Sequence, residues 1–249
     1  MKLLLSNDDG IDAPGLAALA RALEPLGEVW VAAPEREHSA KSHAFTLHKP
    51  LRVRPRQTQW FAVSGTPADC VYMGLNHLVS GADIVVSGIN RGANLGSDVF
   101  YSGTVAGAME ATLQGVPSVA ISLDRRPDDS ALHWDTAGAV ARRVVEQVLA
   151  QTLPSRTFLN VNVPNVAAAE LRGVRATTLG SRSYTKRVDE RTDPFGRKYY
   201  WIGGQHQMFG GEEGSDGVVI QQGYATVTPL QPNLTREDFL APLSRWFDA

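Results

Sequence analysis

The sequence has very little cysteine and no long hydrophobic run. Cys70 is the only cysteine among 249 residues, so no disulfide can form within the chain, which is typical of proteins from reducing compartments. The apolar start at residues 3–5 ends at Asp8, too early for a signal peptide. No stretch approaches the ~20 apolar residues of a membrane span. We therefore expect a cytoplasmic protein that does not enter membranes.

The sequence also lacks a strong charge of either sign. Lysine and arginine total 24 and aspartate and glutamate total 26, so the net charge of −2 gives no reason to expect nucleic acid or an anionic membrane as a partner. Arg52, Arg54 and Arg56 alternate, which we interpret as a solvated strand face. The sequence also contains no cysteine and histidine cluster typical of zinc sites. It has neither the Gly-x-Ser-x-Gly turn of serine hydrolases nor a P-loop.

Short apolar segments alternate with helical patterns in the first two thirds of the chain. The strand candidates are 2–5, 29–33, 83–87, 119–123 and 158–163, and the helix candidates are 16–26, 104–113 and 135–149. Shorter strands are expected near 46–47, 51–53 and 61–63, before a helix that Thr66 caps and Pro67 opens. This alternation predicts an α/β fold with a parallel sheet and helices on both faces.

The pattern changes after residue 165, so we divide the chain into a catalytic core, 1–165, and a C-terminal region, 166–249. Residues 184–203 are predicted to form a long hairpin around a turn at 193–196, and an amphipathic helix is predicted at 235–247.

One arm of the predicted hairpin is unusually aromatic. Tyr199, Tyr200 and Trp201 offer more aromatic surface than a lone hairpin can bury. We expect this arm to pack against another subunit, and packing against its own domain is the alternative.

Two adjacent carboxylates give the strongest local signal. Asp8 and Asp9 follow the first strand directly, and ligands of open α/β sheets bind outside the carboxyl ends of strands. Adjacent acids repel each other unless a cation neutralises them, so the pair favours a divalent metal site. An acidic turn or helix cap is the alternative.

Further oxygen donors follow two other strands. Asn90 lies in a glycine-rich loop after the strand at 83–87, where its amide oxygen could reach a metal or where it could simply form a turn. Ser39 or Ser42, after the strand at 29–33, could supply a hydroxyl ligand, and the spacing does not choose between them. All candidate donors are oxygens, which favours magnesium, manganese or calcium.

A helix start supplies a candidate phosphate site. Ser102, Gly103 and Thr104 open the helix predicted at 104–113, and helix N-termini carry unpaired amides and a positive dipole end. Plain capping of the helix by Ser102 is the alternative.

These residues belong to runs that closely resemble the SurE (survival protein E) nucleotidases. The matching runs are 6–10 with 13–15, 33–34 with Ser39, 65–71, 86–96, 98–99 and 101–105, with C-terminal landmarks at 199–203, 223–224 and 228–230. The match extends over nearly the whole chain and is densest in the first ~125 residues.

The resemblance implies a Rossmann-like, metal-dependent 5'-nucleotidase that acts on nucleoside monophosphates, often on 3'-nucleotides and sometimes on short polyphosphate. It implies dimers or tetramers that exchange C-terminal elements. The implied metal ligands are Asp8, Asp9, Ser39 and Asn90, and the implied phosphate-binding residues are Asn94, Ser102, Gly103 and Thr104. Ala40 departs from the family, which commonly has glycine after the ligand serine.

Three mechanisms are compatible with these residues. In the first, one divalent ion activates water, and Asp8 or Asp9 orients that water or takes its proton. In the second, Asp8 is a covalent nucleophile, although the usual pattern for that chemistry spaces its two acids by one residue. In the third, the protein senses nucleotides without turnover.

Overall fold

A computed structural model describes residues 1–126, 128–184, 187–203 and 206–247, with only the backbone of 183 and 206–209. Its strands are β1 (Lys2–Ser6), β2 (Glu28–Pro34), β3 (Val53–Gln57), β4 (Trp60–Val63), β5 (Ile84–Arg91), β6 (Ser118–Asp124), β7 (Phe158–Pro164), β8 (Val174–Ala176), β9 (Ser181–Tyr184), β10 (Arg187–Thr192), β11 (Lys198–Gly203), β12 (His206–Gly210) and β13 (Ala225–Leu230). Its α-helices are α1 (Pro14–Leu23), α2 (Pro67–Met73), α3 (Gly103–Leu113), α4 (Trp134–Ala150), α5 (Asp216–Gln221) and α6 (Leu240–Ser244).

Among the described residues, nine strands form one sheet in the order β3-β4-β2-β1-β5-β6-β7-β13-β8. Neighbouring strands are parallel except at the pairs β3–β4 and β7–β13. The predicted Rossmann-like, mostly parallel α/β fold is therefore confirmed. Because β13 and β8 continue this sheet, part of the C-terminal region is built onto the core, and the domain division at residue 165 stays a prediction.

Both faces of the sheet are covered, which explains why β1 is a continuous apolar run. Leu3 and Leu5 point into the core under α1 and α4, and Leu4 points into the core on the other face, under α2. All three leucines are fully buried. A strand of a parallel sheet that is buried on both faces needs no alternation of polar and apolar residues.

Two expectations about local structure are wrong. Residues 46–47 are not a strand, because the Thr46 backbone N–H and hydroxyl both donate to the Asp69 carboxylate, at 2.8 and 2.6 Å. The helix expected at 235–247 is a 3-10 turn, Glu237–Phe239, followed by the short α6. Pro242 explains the difference, since proline lacks an N–H and is tolerated only in the first turn of a helix.

The predicted hairpin is confirmed as β10 and β11, which pair antiparallel from Arg187 opposite Gly203 to Thr192 opposite Lys198. Asp193 closes its turn by accepting the backbone N–H groups of Phe195 and Arg197, each at 2.9 Å. Residues 185 and 186 of the predicted range lie outside the described residues. In the described part of the chain, no helix is both long and apolar enough to cross a membrane.

Candidate active site

Loops at the carboxyl ends of β1, β2 and β5 meet the start of α3 around one cavity of about 550 Å³. Six of the predicted site residues line it, namely Asp8, Asp9, Ser39, Asn90, Asn94 and Ser102. Gly103 and Thr104 are buried behind Asp8 instead. The parallel sheet thus brings together residues that are up to 94 positions apart in the sequence.

Asp8 is the most buried carboxylate of the cavity, with 4% of the residue exposed. Its Oδ1 accepts a hydrogen bond from the Thr104 hydroxyl. The start of α3 can approach this closely because residue 103 is glycine, where a Cβ atom would lie 2.8 Å from the Asp8 Cβ. Burial, and secondarily the charge of Asp9, raise the pKa of Asp8 to about 6, against the opposing effect of the Thr104 hydrogen bond.

Asp9 lies beside it, more exposed, and accepts the Arg91 backbone N–H at 3.1 Å. Burial raises the pKa of Asp9 and the negative charge of Glu37 adds to that effect, although the Arg91 hydrogen bond opposes it. Neither carboxylate has a salt bridge to a basic side chain among the ion pairs of the described residues. Two adjacent carboxylates that favour protonation are stabilised as anions by a nearby cation.

The loop after β2 distinguishes the two candidate serines. Ser39 lines the cavity and donates to Glu37 Oε1 at 2.7 Å, whereas the Ser42 hydroxyl donates to the Phe100 carbonyl at 2.6 Å. The His38 N–H donates to the Asp8 carbonyl at 2.7 Å, which fixes the loop beside β1. Ser39 is therefore the serine placed to reach a ligand beside the carboxylates.

Ala40 has φ +56°, in the left-handed region that L-residues other than asparagine and aspartate rarely adopt. Glycine enters this region without steric cost, so the backbone at residue 40 has a conformation that favours glycine. The loop keeps the glycine-like path even with alanine.

Asn90 lies just after an irregularity in the pairing of β5 with β6. Its Nδ2 donates to the Gly92 carbonyl at 2.8 Å, which orients the amide. The amide oxygen is then the atom with lone pairs available to a cation. Asn90 lies within β5 and not in a turn, and its amide oxygen stays a candidate ligand.

Asn94 is held by a buried amide network that the sequence analysis missed. Its N–H donates to Asn162 Oδ1 at 2.7 Å, and its Nδ2 donates to Ser122 Oγ at 2.8 Å. Its carbonyl accepts from Asn160 and Asn162 at 2.8 and 3.0 Å. Two asparagines that alternate within the apolar strand at 158–163 were the available signal, because buried amides need partners.

Both hydroxyls at the start of α3 already have protein partners. Ser102 Oγ accepts the Val105 N–H at 3.1 Å, as in plain capping, and Thr104 donates to Asp8. Ser102 nevertheless lines the cavity, so the first turn of this eleven-residue helix lies at the cavity wall. Unpaired N–H groups of a first turn favour an anion.

A charged cluster at the cavity rim was also missed. Asp98 Oδ2 accepts from Tyr184 Oη at 2.6 Å and pairs with Arg182 Nη1 at 2.5 Å. Burial and the hydrogen bond to Asp98 raise the pKa of Tyr184 to about 12. The cluster connects β9 to the turn before α3, a contact between distant segments that no local pattern predicts.

The chain matches the model of the family "Survival protein SurE" over residues 3–186. It is 51% identical to a protein of Geotalea uraniireducens named 5'-nucleotidase SurE, over 99% of both chains. It is 49% identical to the protein of the same name from Pelobacter propionicus, again over 99% of both. The SurE protein crystal structure from Aquifex aeolicus is similar over 100% of both chains, with a TM-score of 0.87 and 40% identity.

The chain belongs to the SurE family. The resemblance of its motifs to SurE nucleotidases is therefore confirmed, over the whole chain and in the fold.

The SurE resemblance implies a divalent metal, and the residues present fit one. Two carboxylates, a hydroxyl and an amide oxygen line the same cavity, from Asp8, Asp9, Ser39 and Asn90. Oxygen donors of this kind suit hard divalent cations. Among the described residues no group of three or more histidine, cysteine, aspartate or glutamate side chains could hold a metal.

Proposed function

We propose that this member of the SurE family is a metal-dependent 5'-nucleotidase that hydrolyses nucleoside monophosphates to nucleoside and phosphate. The observation that carries the proposal is the pairing of two carboxylates of raised pKa, Asp8 and Asp9, with neutral oxygen donors in one cavity beside the start of α3. The full-length relatives that carry the name 5'-nucleotidase support it.

Asp8, Asp9, Ser39 and Asn90 would hold one ion, magnesium or manganese, with calcium also suited to the site. A divalent ion supplies Lewis-acid activation of water and of a phosphate oxygen when bound. Asp8 is kept in place by the Thr104 hydroxyl, so its free oxygen is oriented before substrate arrives.

The phosphoryl group would bind at the first turn of α3. Ser102 and Asn94 line the cavity wall there, and the first-turn N–H groups of Gly103 and Thr104 would donate to the phosphoryl oxygens from behind them. These donors stabilise the charge that develops on the phosphoryl oxygens, a contribution of ~3 to 4 kcal/mol for a well-placed donor. Asp8 or Asp9 orients the attacking water or accepts its proton.

Release of phosphate from a panel of 5'- and 3'-nucleotides tests the function, with magnesium, manganese or calcium and with a chelator. We expect metal-dependent release that Asp8→Asn abolishes while the protein stays folded. Asp12→Asn is the matched control, because the Asp12 side chain is mostly exposed just before α1 and pairs only weakly with Arg56, at 3.5 Å. Full turnover in excess chelator, or an active Asp8→Asn protein, would contradict the proposal.

The same panel covers two outcomes that would redirect the mechanism. Labelled phosphate retained on the protein would favour a covalent intermediate at Asp8. Tight nucleotide binding without phosphate release under any metal would favour a sensor. Activity on 3'-nucleotides and on short polyphosphate belongs to the proposal as well.

We also propose a homo-oligomer built through the hairpin and the C-terminal helix. Val188, Trp201 and Ile202 on the hairpin are 64%, 61% and 94% exposed in the single chain, and Trp246 near the end of the chain is 70% exposed. Exposed apolar groups on this scale mark interaction surfaces. Light scattering should give the molar mass of a dimer or tetramer for the native protein. The Trp201→Glu variant should give a smaller molar mass. The cytoplasmic location stays a prediction.

A further inference from the structure

A second cavity, of about 420 Å³, adjoins the candidate active site and is called the side cavity here. It shares Asp9, Glu37 and Arg91 with the active-site cavity. Its remaining wall is mostly apolar and consists of Ala13, Pro14, Gly15, Leu132 and Trp134. One end of the side cavity is thus charged and continuous with the carboxylates, and the other end is lined by an indole and aliphatic groups.

The indole of Trp134 is fixed in place by the first turn of α1. A Cβ atom at Gly15 would lie 2.9 Å from Trp134 Cζ3 and 2.0 Å from the Ile89 carbonyl oxygen, so only glycine permits this packing. Trp134 and Leu132 are half-buried and pack against the core under α1 and α4. A flat aromatic surface held in this way binds a ligand with little loss of side-chain entropy.

The loop that carries Leu132 is fixed from the end of β7. Asn165 accepts the His133 N–H at 2.8 Å and donates to the Ala131 carbonyl at 2.8 Å and to Asp129 Oδ2 at 2.7 Å. The half-buried side-chain amide of Asn165 therefore orders both the loop and the start of α4. The apolar wall of the side cavity is preorganised by these bonds.

We propose that the side cavity binds the nucleoside part of the substrate, with the base against Trp134 and Leu132. This inference rests on the function proposed above. Bases of every kind stack on aromatic side chains, and pockets for small ligands have volumes of this order. At the shared end, Glu37 can accept a hydrogen bond from a ribose hydroxyl, because a carboxylate that already binds Ser39 retains further acceptor positions.

The test compares ligands that contain a base with one that does not. Trp134→Leu should lower kcat/KM for nucleoside 5'-monophosphates about tenfold, by loss of base stacking, and leave inhibition by inorganic phosphate unchanged. Trp134→Phe should restore most of the loss, since it restores an aromatic face. Trp60→Leu is the matched control, because it removes a half-buried indole from β4, away from both cavities. Its kcat/KM for nucleoside 5'-monophosphates should equal that of the wild type. If Trp134→Leu is unstable, Leu132→Asn probes the same wall and should cause a smaller selective loss.

Unchanged kcat/KM in Trp134→Leu would overturn the proposal. An equal loss of kcat/KM and of inhibition by inorganic phosphate would also overturn it, because it would show that Trp134 acts through the fold. A selective loss in Tyr184→Leu alone would place the base at the other aromatic rim of the active-site cavity and would also overturn it. Calorimetric titration of nucleoside monophosphate and of inorganic phosphate makes the same comparison without turnover. The proposal that the side cavity binds the base can therefore be refuted or supported independently of the proposed catalytic function.

Discussion

Replacement of Asp8 by asparagine should stabilise the metal-free protein at pH 8 while it abolishes nucleotidase activity. Burial raises the pKa of Asp8 from 3.8 to about 6. Between these values the folded protein holds a proton that the unfolded chain has released, so the free energy of unfolding falls as the pH rises from 3.8 to 6. A difference of about two in pKa corresponds to about 3 kcal/mol of stability lost above pH 6.

Asparagine removes that cost with little change in shape. Its amide oxygen can still accept the Thr104 hydroxyl, and it carries no charge to repel Asp9. For a chain of this size 1 kcal/mol shifts Tm by about 2 to 4 °C, so we expect Tm in excess chelator at pH 8 to rise by about 6 to 12 °C. At pH 4 the difference should nearly vanish, because the wild-type carboxyl is then protonated.

Thermal denaturation followed by circular dichroism measures both effects, with Asp12→Asn as the control that should leave Tm unchanged at either pH. A saturating divalent ion should reverse the order of Tm at pH 8, because only the wild type gains the free energy of metal binding. A lower Tm for Asp8→Asn in chelator at pH 8 would refute the reasoning, since the buried carboxylate would then be stabilising without a cation.

Three further predictions concern the groups around the site. Asn162→Asp keeps an acceptor for the Asn94 N–H but removes the donor to the Asn94 carbonyl, so the unfolding free energy in urea should fall by about 2 kcal/mol and inhibition by inorganic phosphate should weaken. Ala40→Gly relieves a left-handed alanine that costs about 1 to 2 kcal/mol, partly offset by the greater entropy of the unfolded chain, so Tm should rise slightly, whereas Ala40→Val should lower it. The pKa of Glu110 would be raised by burial, but its hydrogen bonds, from His43 foremost, hold it below its usual value. The ionised Glu110 therefore stabilises the fold above pH 4.5, and Glu110→Gln should lower the urea midpoint at pH 7 but have little effect once the pH falls below the folded pKa.

The sequence predicts those parts of the fold and site whose signals are local. Leu3, Leu4 and Leu5 form an apolar run that only a strand buried on both faces accommodates in an α/β chain. Because the carboxyl ends of parallel strands meet at one edge, the position of Asp8 after β1 and of Asn90 at the carboxyl end of β5 sufficed to predict that they lie around one cavity. Thr66 and Pro67 were likewise sufficient to predict the start of α2, where the structure adds a full capping box between Thr66 and Asp69.

Features that depend on distant partners were not predictable. Asn160 and Asn162 bind Asn94 across separations of 66 and 68 residues, and only the folded sheet brings β7 beside that loop. The packing of Trp134 on Gly15 joins two helices that are more than a hundred residues apart in the sequence. An indole at the start of a helix is usually a core anchor, so its position beside the carboxylates is visible only in the structure.

The difference between Ser39 and Ser42 shows how a backbone conformation can decide which of two serines lines a cavity. Both serines follow the same strand, so spacing alone cannot separate them. Ala40 and Ser42 both have positive φ, at 56° and 53°, and the chain therefore turns between the two hydroxyls. Ser42 uses its hydroxyl and its N–H to bind the carbonyls of Phe100 and Tyr101, just before α3. The serine that does not line the cavity thus joins the loop to the segment just before α3, and this attachment holds Ser39 beside the carboxylates.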